Sequence, residues 1–212
     1  MISTTKKTPQ TKISALALIC LIALLSLPKA EAFFFEPIAA YHVDGSFKYP
    51  ADSSGSITNG SADGDVSGFH LGLRTGVTFM ADMLFLGVNL GFDRLTFDYS
   101  TSGLADDDAS TFAVGAVGGV AFKGVPFRIW VGYNPTDKLE IDKGYWSNAP
   151  EYTGTSMFAG LGYVFKLGVP IQLGVEYTKR TYDEISLNGA TESVPDTNVT
   201  TTSVVLSMPL TF

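Results

Sequence analysis

The sequence contains few of the residues from which disulfide frameworks, metal sites and acid–base sites are built. Its 212 residues include one cysteine, Cys20, and two histidines, His42 and His70. One cysteine excludes an intramolecular disulfide, and two histidines offer few candidates for a catalytic base or a metal ligand. Charged residues make up 17% of the chain, and the apolar run 15–27 is shorter than the about 20 residues of a membrane-spanning helix. These absences speak against a disulfide-rich scaffold and against a helical membrane protein.

The apolar run belongs to an N-terminal segment with the order of a secretory signal peptide. Three lysines precede the run, and Ala30-Glu31-Ala32, a small-x-small site, follows it. We therefore predict a cleaved signal peptide over 1–32 and a mature domain over 33–212. A lipoprotein signal at Cys20 is the alternative, but Ile19 stands where a small residue is required.

Cleavage after Ala32 changes the balance of charge and removes the only cysteine. The 14 basic and 21 acidic residues of the whole chain fall to 10 and 20, a net charge near −10. Such a chain repels nucleic acid, so no nucleic-acid partner is expected. No Gly/Ser-rich linker divides the remaining residues, which favours one domain.

The end of the chain alternates strictly between apolar and polar positions. Period-two alternation indicates a β-strand, here with polar Ser203, Ser207 and Thr211 on the second face. In a soluble domain, an edge strand with an apolar face would invite aggregation, whereas the same strand fits a barrel whose outer face is lipid. The apolar face consists of Val204, Leu206, Met208, Leu210 and Phe212.

Seven earlier segments show the same alternation, so the sequence predicts eight strands in all. They are separated in turn by long polar loops and by short turns, as in an up-and-down barrel. The predicted loops are 50–67, the stretch around 106–108, 135–154 and 183–200, and the predicted turns are 81–83, 124–126 and 167–170. The predicted strands are 35–49, 68–80, 84–99, 112–122, 127–134, 157–165, 171–180 and 201–212.

Two details of these strands are predicted from local alternation alone. In the first strand, His42 and Asp44 are expected on the inner face and Phe47 on the outer face. In the third strand, the apolar phase changes after Asp93, which we interpret as a bulge near the membrane boundary that keeps Leu95 and Phe97 outward.

A soluble eight-stranded barrel of the lipocalin type is the alternative to a membrane barrel, because periodicity does not say which face is inside. The presumed inner faces are rich in glycine with scattered arginine, glutamate, histidine and asparagine, whereas large aromatic residues lie on the other face near the strand ends. This distribution favours a narrow polar lumen and a lipid-facing exterior.

The pattern over 33–212 resembles the small eight-stranded outer-membrane family typified by OmpX and the barrel domain of OmpA. The resemblance implies an all-β, eight-stranded antiparallel up-and-down transmembrane β-barrel in the cell outer membrane. It also implies contact with outer-membrane lipid and lipopolysaccharide, and recognition of the terminal residues 204–212 by the barrel-assembly machinery. An extracellular ligand at the loops is a further expectation, and no cofactor or metal is expected. Unlike in OmpA, no peptidoglycan-binding domain is expected after the last strand, so anchoring to the cell wall is not expected.

The candidate functional residues are polar side chains predicted to face the lumen. An interior this narrow is expected to be filled by side chains, and buried charges require partners. We predict an Arg74–Glu176 salt bridge that closes the lumen, with independent water-bridged groups as the alternative. The predicted cluster is His42, Arg74, Asn89, Arg128 and Glu176.

Other functions and three loop sites are alternatives or additions to a structural or surface-interaction role. An OmpW-like channel for small or hydrophobic solutes would require inward leucine or phenylalanine. Lipid A-modifying enzymes pair a histidine with a serine, and omptin proteases pair aspartate with histidine, but neither His42 nor His70 has a serine two residues later. Asp63/Asp65 and the aspartates 106–108 are acidic enough to attract a divalent cation but lack calcium-loop spacing. The loop aromatics Tyr145, Trp146 and Tyr152 suit either an adhesive patch or the lipopolysaccharide interface.

Overall fold

The computed structural model describes residues 30–49, 62–100, 106–142, 150–187 and 190–212. All of these except Ala30 belong to one compact unit, Glu31–Phe212. The predicted signal peptide therefore lies almost entirely outside the described residues. Within the described ranges, no helix has the length and apolar character needed to cross a membrane.

Eight long antiparallel strands form a closed ring, which confirms the predicted fold. The first strand, β1, pairs with β2 from Ala32↔Thr78 onward and with β8 from Ile38↔Ser207 to Lys48↔Asn198, so the sheet has no free edge among its long strands. The strands are β1 Ala32–Tyr49, β2 Ala62–Phe79, β3 Leu84–Tyr99, β4 Asp107–Ala121, β5 Phe127–Ile141, β6 Glu151–Leu167, β7 Val169–Leu187 and β8 Ala190–Ser207.

The predicted eighth strand is interrupted near its end. After β8, the two-residue strand β9, Leu210–Thr211, pairs with Phe34 and Phe35 of β1. Pro209 lies between β8 and β9 and has no backbone N–H to donate, which explains the break in the ladder. The last strand of the ring is therefore β8 with β9 as its continuation.

The three short turns lie together at one end of the barrel, here called the turn end. Residues 80–83 connect β2 to β3 with positive φ at Met80, Ala81 and Asp82, and Gly124 and Gly168 have φ of 81° and 88°. These turns were predicted at their observed positions. The opposite end, where the longer connections lie, is called the loop end.

The strands reach further toward the loop end than predicted. β5 continues through Pro135 to Ile141, β6 begins at Glu151, and β7 and β8 extend to Leu187 and from Ala190. The predicted loops 50–67, 135–154 and 183–200 are therefore wrong in their bounds, since β2 also begins earlier, at Ala62. Polar and charged residues at the loop end alternate with buried apolar ones along strands that continue beyond the apolar belt. Asp107 and Asp108 likewise belong to β4.

In the turn-end half of the barrel, apolar side chains face outward, as predicted. The inward side chains are the predicted polar ones together with a buried apolar cluster that was not predicted as a whole, Phe34, Phe85, Val117, Trp130 and Phe158. Two rows of exposed aromatic residues bound the outward apolar belt. The row toward the loop end is Tyr41, Phe69, Phe92, Phe112, Tyr133 and Tyr177. The row at the turn end is Phe33, Phe35, Phe122, Phe127, Tyr163 and Phe165.

In the loop-end half, the two faces exchange character. Outward residues there are polar, among them Thr96, Asp98, Lys138, Glu140 and Lys179. The interior is a hydrophobic core, here called the loop-end core. It consists of Phe47, Val66, Leu95, Phe97, Ala109, Leu139, Ile141, Tyr152, Tyr182, Ile185 and Val199.

This exchange corrects the predicted bulge in the third strand. β3 pairs with β2 and with β4 without any register shift, so alternation continues unbroken through Asp93. Leu95 and Phe97 consequently point inward and are fully buried. The apolar residues of β3 move from the outer to the inner face because the interior of the barrel is apolar at the loop end. The pairing register of the strand does not change.

The first strand, in contrast, contains an irregularity that was not predicted. The pairing of β1 with β2 shifts between His42 and Ser46. Because a shift of one residue moves every later side chain to the other face, Phe47 is buried and Asp44 is exposed. The predicted inward pair of His42 and Asp44 is therefore wrong.

Candidate functional site: the lumen

The layer of the lumen nearest the turn end is held by one ion pair and its amide and hydroxyl partners. Arg128 lies 3.1 Å from Glu36 and donates a 3.0 Å hydrogen bond to Gln172. The Ser207 hydroxyl donates to Glu36 at 2.7 Å, and the Arg128 guanidinium lies 4.5 Å from the centroid of the Phe85 ring. All charged atoms of this layer have partners, as burial requires.

The middle layer contains the predicted ion pair. Arg74 of β2 donates to Glu176 of β7 at 2.5 Å, and the Trp130 indole N–H donates to the same carboxylate. Arg74 also donates to Asn89 at 3.3 Å, and its guanidinium lies 5.2 Å from the Trp130 ring centroid. Four strands are thus joined across the lumen through one arginine.

Glycines make room for the large ring of Trp130. A Cβ on Gly160 would lie 2.4 Å from the indole, and one on Gly174 would lie 2.9 Å from it. Both distances are shorter than carbon–carbon contact permits, so these positions require glycine for the ring to lie flat against the wall. The glycine-rich inner face predicted from the sequence is therefore partly a cradle for Trp130.

The third layer is organised by Asp93, which is not one of the five predicted cluster residues. Its carboxylate contacts His42 Nε2 at 2.9 Å and His70 Nδ1 at 3.1 Å, and accepts hydrogen bonds from Arg180 at 2.8 Å and Thr111 at 2.6 Å. Side chains of four other strands meet at this carboxylate. Alternation along the third strand predicts the inward position of Asp93 but contains no information on these partners.

His42 also contacts Ser203, so Ser203, His42 and Asp93 form a chain of two hydrogen bonds through the histidine ring. The His42 Nδ1 to Ser203 Oγ distance is 2.7 Å. This is the order of groups in a nucleophile–base–acid arrangement. All three side chains are buried, and the adjoining void of about 20 Å³ has room for about one water molecule, not for a substrate.

The loop-end core covers the polar layers from above. The rings of Phe47 and Phe97 meet edge to face with centroids 5.1 Å apart, and the Tyr182 hydroxyl donates to Asp137 at 2.9 Å. Tyr152, predicted as part of an adhesive or interfacial patch, is buried in this core. Tyr145 and Trp146 lie outside the described residues.

At the loop end, polar contacts border the loop-end core and continue on the outer face. Tyr99 packs against the loop-end core and donates to Asp107 at 2.9 Å, and its pKa is raised first by burial and then by this carboxylate. The pKa of Asp98 is raised by a hydrogen bond and like charge from Asp106. In the described part of the chain, no group of three or more His, Cys, Asp or Glu residues is arranged to hold a metal.

The five predicted lumen residues all face inward, but they do not form one cluster. Arg74, Asn89 and Glu176 share the middle layer, whereas Arg128 lies nearer the turn end and His42 nearer the loop end. Sequence alternation identified the face of each residue. It contained no information on which residues of other strands share its height.

Comparisons with known proteins bear on the fold. No protein-family model matches the sequence, and no curated protein matches it. Among solved structures, the chain is similar to Neisserial surface protein A at 16% identity and a TM-score of 0.48, over 85% of this chain and 99% of that one. It is similar to Ail, the attachment invasion locus protein of Yersinia pestis, at 14% identity and a TM-score of 0.49, over 85% and 99%.

A third similar structure is the outer membrane protein OprG of Pseudomonas aeruginosa, at 13% identity and a TM-score of 0.45, over 86% of this chain and 97% of that one. At these identities the likeness concerns the fold alone. The ring of strands, their up-and-down order and the outward apolar belt are properties of this chain itself. On those properties, the chain has the fold of the small eight-stranded outer-membrane β-barrels.

Proposed function

We propose that the protein is an integral outer-membrane barrel with a closed lumen and a structural or surface-interaction role. The observation that carries this proposal is the filling of the lumen. The polar layers and the buried apolar cluster of Phe34, Phe85, Val117, Trp130 and Phe158 lie in the turn-end half, and the loop-end core occupies the other half. Between them, the interior void lined by His42, Asp93 and Glu176 measures only about 20 Å³.

The outer face supports a position in the membrane. Apolar residues between two aromatic rows match the lipid-facing band and interfacial girdles of transmembrane barrels. Beyond the aromatic row that lies toward the loop end, the outward residues become polar, as expected where lipid gives way to lipopolysaccharide head groups and water. Lipid and lipopolysaccharide are therefore the proposed partners, with any extracellular ligand bound at the loop end.

The end of the chain supports the proposed assembly signal. Val204, Leu206 and Met208 are exposed on the outer face, and Phe212 is 76% exposed. A row of apolar side chains with its aromatic residue accessible is a surface that the barrel-assembly machinery is able to read. The proposed signal is the alternating set Val204, Leu206, Met208, Leu210 and Phe212.

Conductance across planar lipid bilayers tests the closed lumen. We expect the purified mature protein to insert without regular single-channel steps, because in the proposed closed lumen the polar layers and the loop-end core block the passage of water and ions. A porin inserted in the same membranes serves as the positive control. Regular, voltage-independent steps from every insertion would overturn closure and favour the narrow channel or transporter.

The fraction in which the protein is found tests its location separately. A barrel that is stable in the outer membrane is expected in that fraction and to change its electrophoretic mobility on boiling. A soluble periplasmic protein without such a shift would contradict the membrane position while leaving the lumen question open.

We also propose that the Ser203–His42–Asp93 arrangement is structural and that the protein is not an enzyme. All three residues are enclosed by the layers above and below, so no acyl or phosphoryl group reaches Ser203. Labelling by a serine-reactive fluorophosphonate that is lost in Ser203→Ala would overturn this assignment.

A further inference from the structure

The turn end of the barrel holds a cavity that a closed lumen does not account for. Its volume is about 540 Å³, within the roughly 300–1,000 Å³ range of small-molecule sites. Phe34, Phe85 and Arg128 lie at its inner end, and Met83 and Val164 are among the apolar side chains of its walls. It is thus open at the turn end and closed toward the polar layers of the lumen.

Two lysines face this cavity from related turns. The sequence Val-Ala-Phe-Lys-Gly-Val-Pro around Lys123 is echoed by Val-Phe-Lys-Leu-Gly-Val-Pro around Lys166, and both lysines line the cavity. Both are exposed, and within the described ranges neither has an ion pair or a side-chain hydrogen bond. The repeated turn design therefore places two ammonium groups without carboxylate partners at one opening.

Two other charged side chains line the cavity. Arg128 is paired with Glu36, and Asp82, whose carboxylate accepts a 2.5 Å hydrogen bond from Thr78, is the one anionic side chain among the described lining residues. The opening therefore has a net positive charge from two lysines against one aspartate, and its apolar interior ends in two phenylalanine rings. A ligand complementary to it has one negatively charged head and one apolar chain.

We infer that this cavity binds a single-chain anionic amphiphile. The head, a carboxylate or a phosphate, lies between Lys123 and Lys166, and the chain lies against Phe34 and Phe85. The inference goes beyond the proposed function and holds whether or not the lumen conducts. Fatty acids and single-chain phospholipids (lysophospholipids) share this chemistry, so two probes separate the two sources.

Binding of octanoate and of octyl phosphate to the purified mature barrel in nanodiscs, measured by isothermal titration against empty nanodiscs, tests the inference. We expect saturable binding of one molecule per barrel. Lys123→Gln/Lys166→Gln should weaken binding about threefold to tenfold, since exposed charge pairs contribute modest energies. Lys48→Gln/Lys179→Gln, which removes two exposed lysines from the loop-end half, is the matched control and should bind as the unaltered protein does.

The apolar part of the site has its own variant. Ala121 lines the cavity, so Ala121→Leu should weaken binding of both octanoate and uncharged octanol, whereas the lysine variants should weaken only the anions. A stronger effect of the lysine variants on octyl phosphate points to a phospholipid head group, and equal effects point to a fatty acid. The heat-dependent mobility of each variant verifies its fold. Binding no greater than that of empty nanodiscs, or equal binding by the two double-lysine variants, would overturn the inference.

Discussion

At the scale of single residues, the charged side chains in the lumen are buried and therefore require partners of opposite charge. The described buried side chains include three arginines and four carboxylates, and each arginine touches at least one carboxylate. Removing one member of such a pair leaves the other charge buried without compensation, which costs several kcal/mol. Because each pair joins different strands, this cost lowers the free energy of unfolding of the whole barrel.

Arg74 and Glu176 supply the sharpest test at this scale. Arg74→Met and Glu176→Met should each destabilise the barrel by about 3–5 kcal/mol, and the double variant by clearly less than their sum. The measurement is denaturant unfolding of the barrel refolded into lipid vesicles, followed by tryptophan fluorescence.

A double-mutant cycle on an exposed ion pair is the matched control for the cycle on Arg74 and Glu176. Lys138 and Glu151 lie 2.8 Å apart on the outer face, with their side chains 48% and 40% exposed. Their coupling in the same measurement should be no more than about 1 kcal/mol. A coupling between Arg74 and Glu176 as small as this would show that water, and not the partner, satisfies the buried groups.

At the scale of the element, a long strand passes through two different environments between the turn end and the loop end. β3 is the clearest case. Every second residue from Leu86 to Phe92 exposes an apolar side chain on the outer face, whereas Leu95 and Phe97 are buried on the inner face. The alternation does not change, but the outer medium does. The same strand therefore contributes to a lipid-facing wall and, further along, to a water-facing wall around a hydrophobic core.

Two adjacent residues of β3 test this account. Phe97→Ala should destabilise the barrel by about 3–5 kcal/mol, because it empties part of the loop-end core. Asp98→Ala, one residue later on the exposed face, should change stability by no more than about 0.5 kcal/mol. Both are measured by denaturant unfolding at neutral pH. If Phe97 faced outward as alternation with a bulge predicted, the two substitutions would have similar small effects.

At the scale of the whole molecule, the decisive contact is between the first and last long strands. Pairing of β1 with β8 turns a meander of neighbouring hairpins into a ring and removes the exposed edges that would otherwise invite aggregation. Closure also sets the diameter within which the three polar layers meet. Without it, Asp93 of β3 would not reach His42 and Arg180.

An engineered disulfide tests closure directly. Ala39 of β1 lies opposite Leu206 of β8, and directly opposed residues are within the reach of a disulfide. Ala39→Cys/Leu206→Cys in the mature protein should form an internal disulfide under mild oxidation, detected as a mobility shift on non-reducing gels. Ala39→Cys/Leu161→Cys, which joins strands that are not paired, should not. Equal yields from the two pairs would contradict the ring.

Much of this architecture could be predicted because period-two alternation holds through the membrane-spanning part of the strands. It identified eight strands, the three turns and the inward position of Arg74, Asn89, Arg128 and Glu176. It failed beyond a pairing irregularity, as between His42 and Ser46. It also failed at the loop end, where charged outward residues belong to strands and not to the predicted loops.

The sequence by itself determined which residues of a strand share a face, because neighbouring side chains along an extended backbone must point to opposite sides. It also determined the lipid-facing surface, since only a barrel exterior explains rows of aromatic and aliphatic residues opposite glycine and charge. Only the tertiary structure decided which side chains meet across the lumen and which face is buried at the loop end. Both depend on closure of the ring, which places residues far apart in the chain at one height and sets which medium lies on each side of the wall.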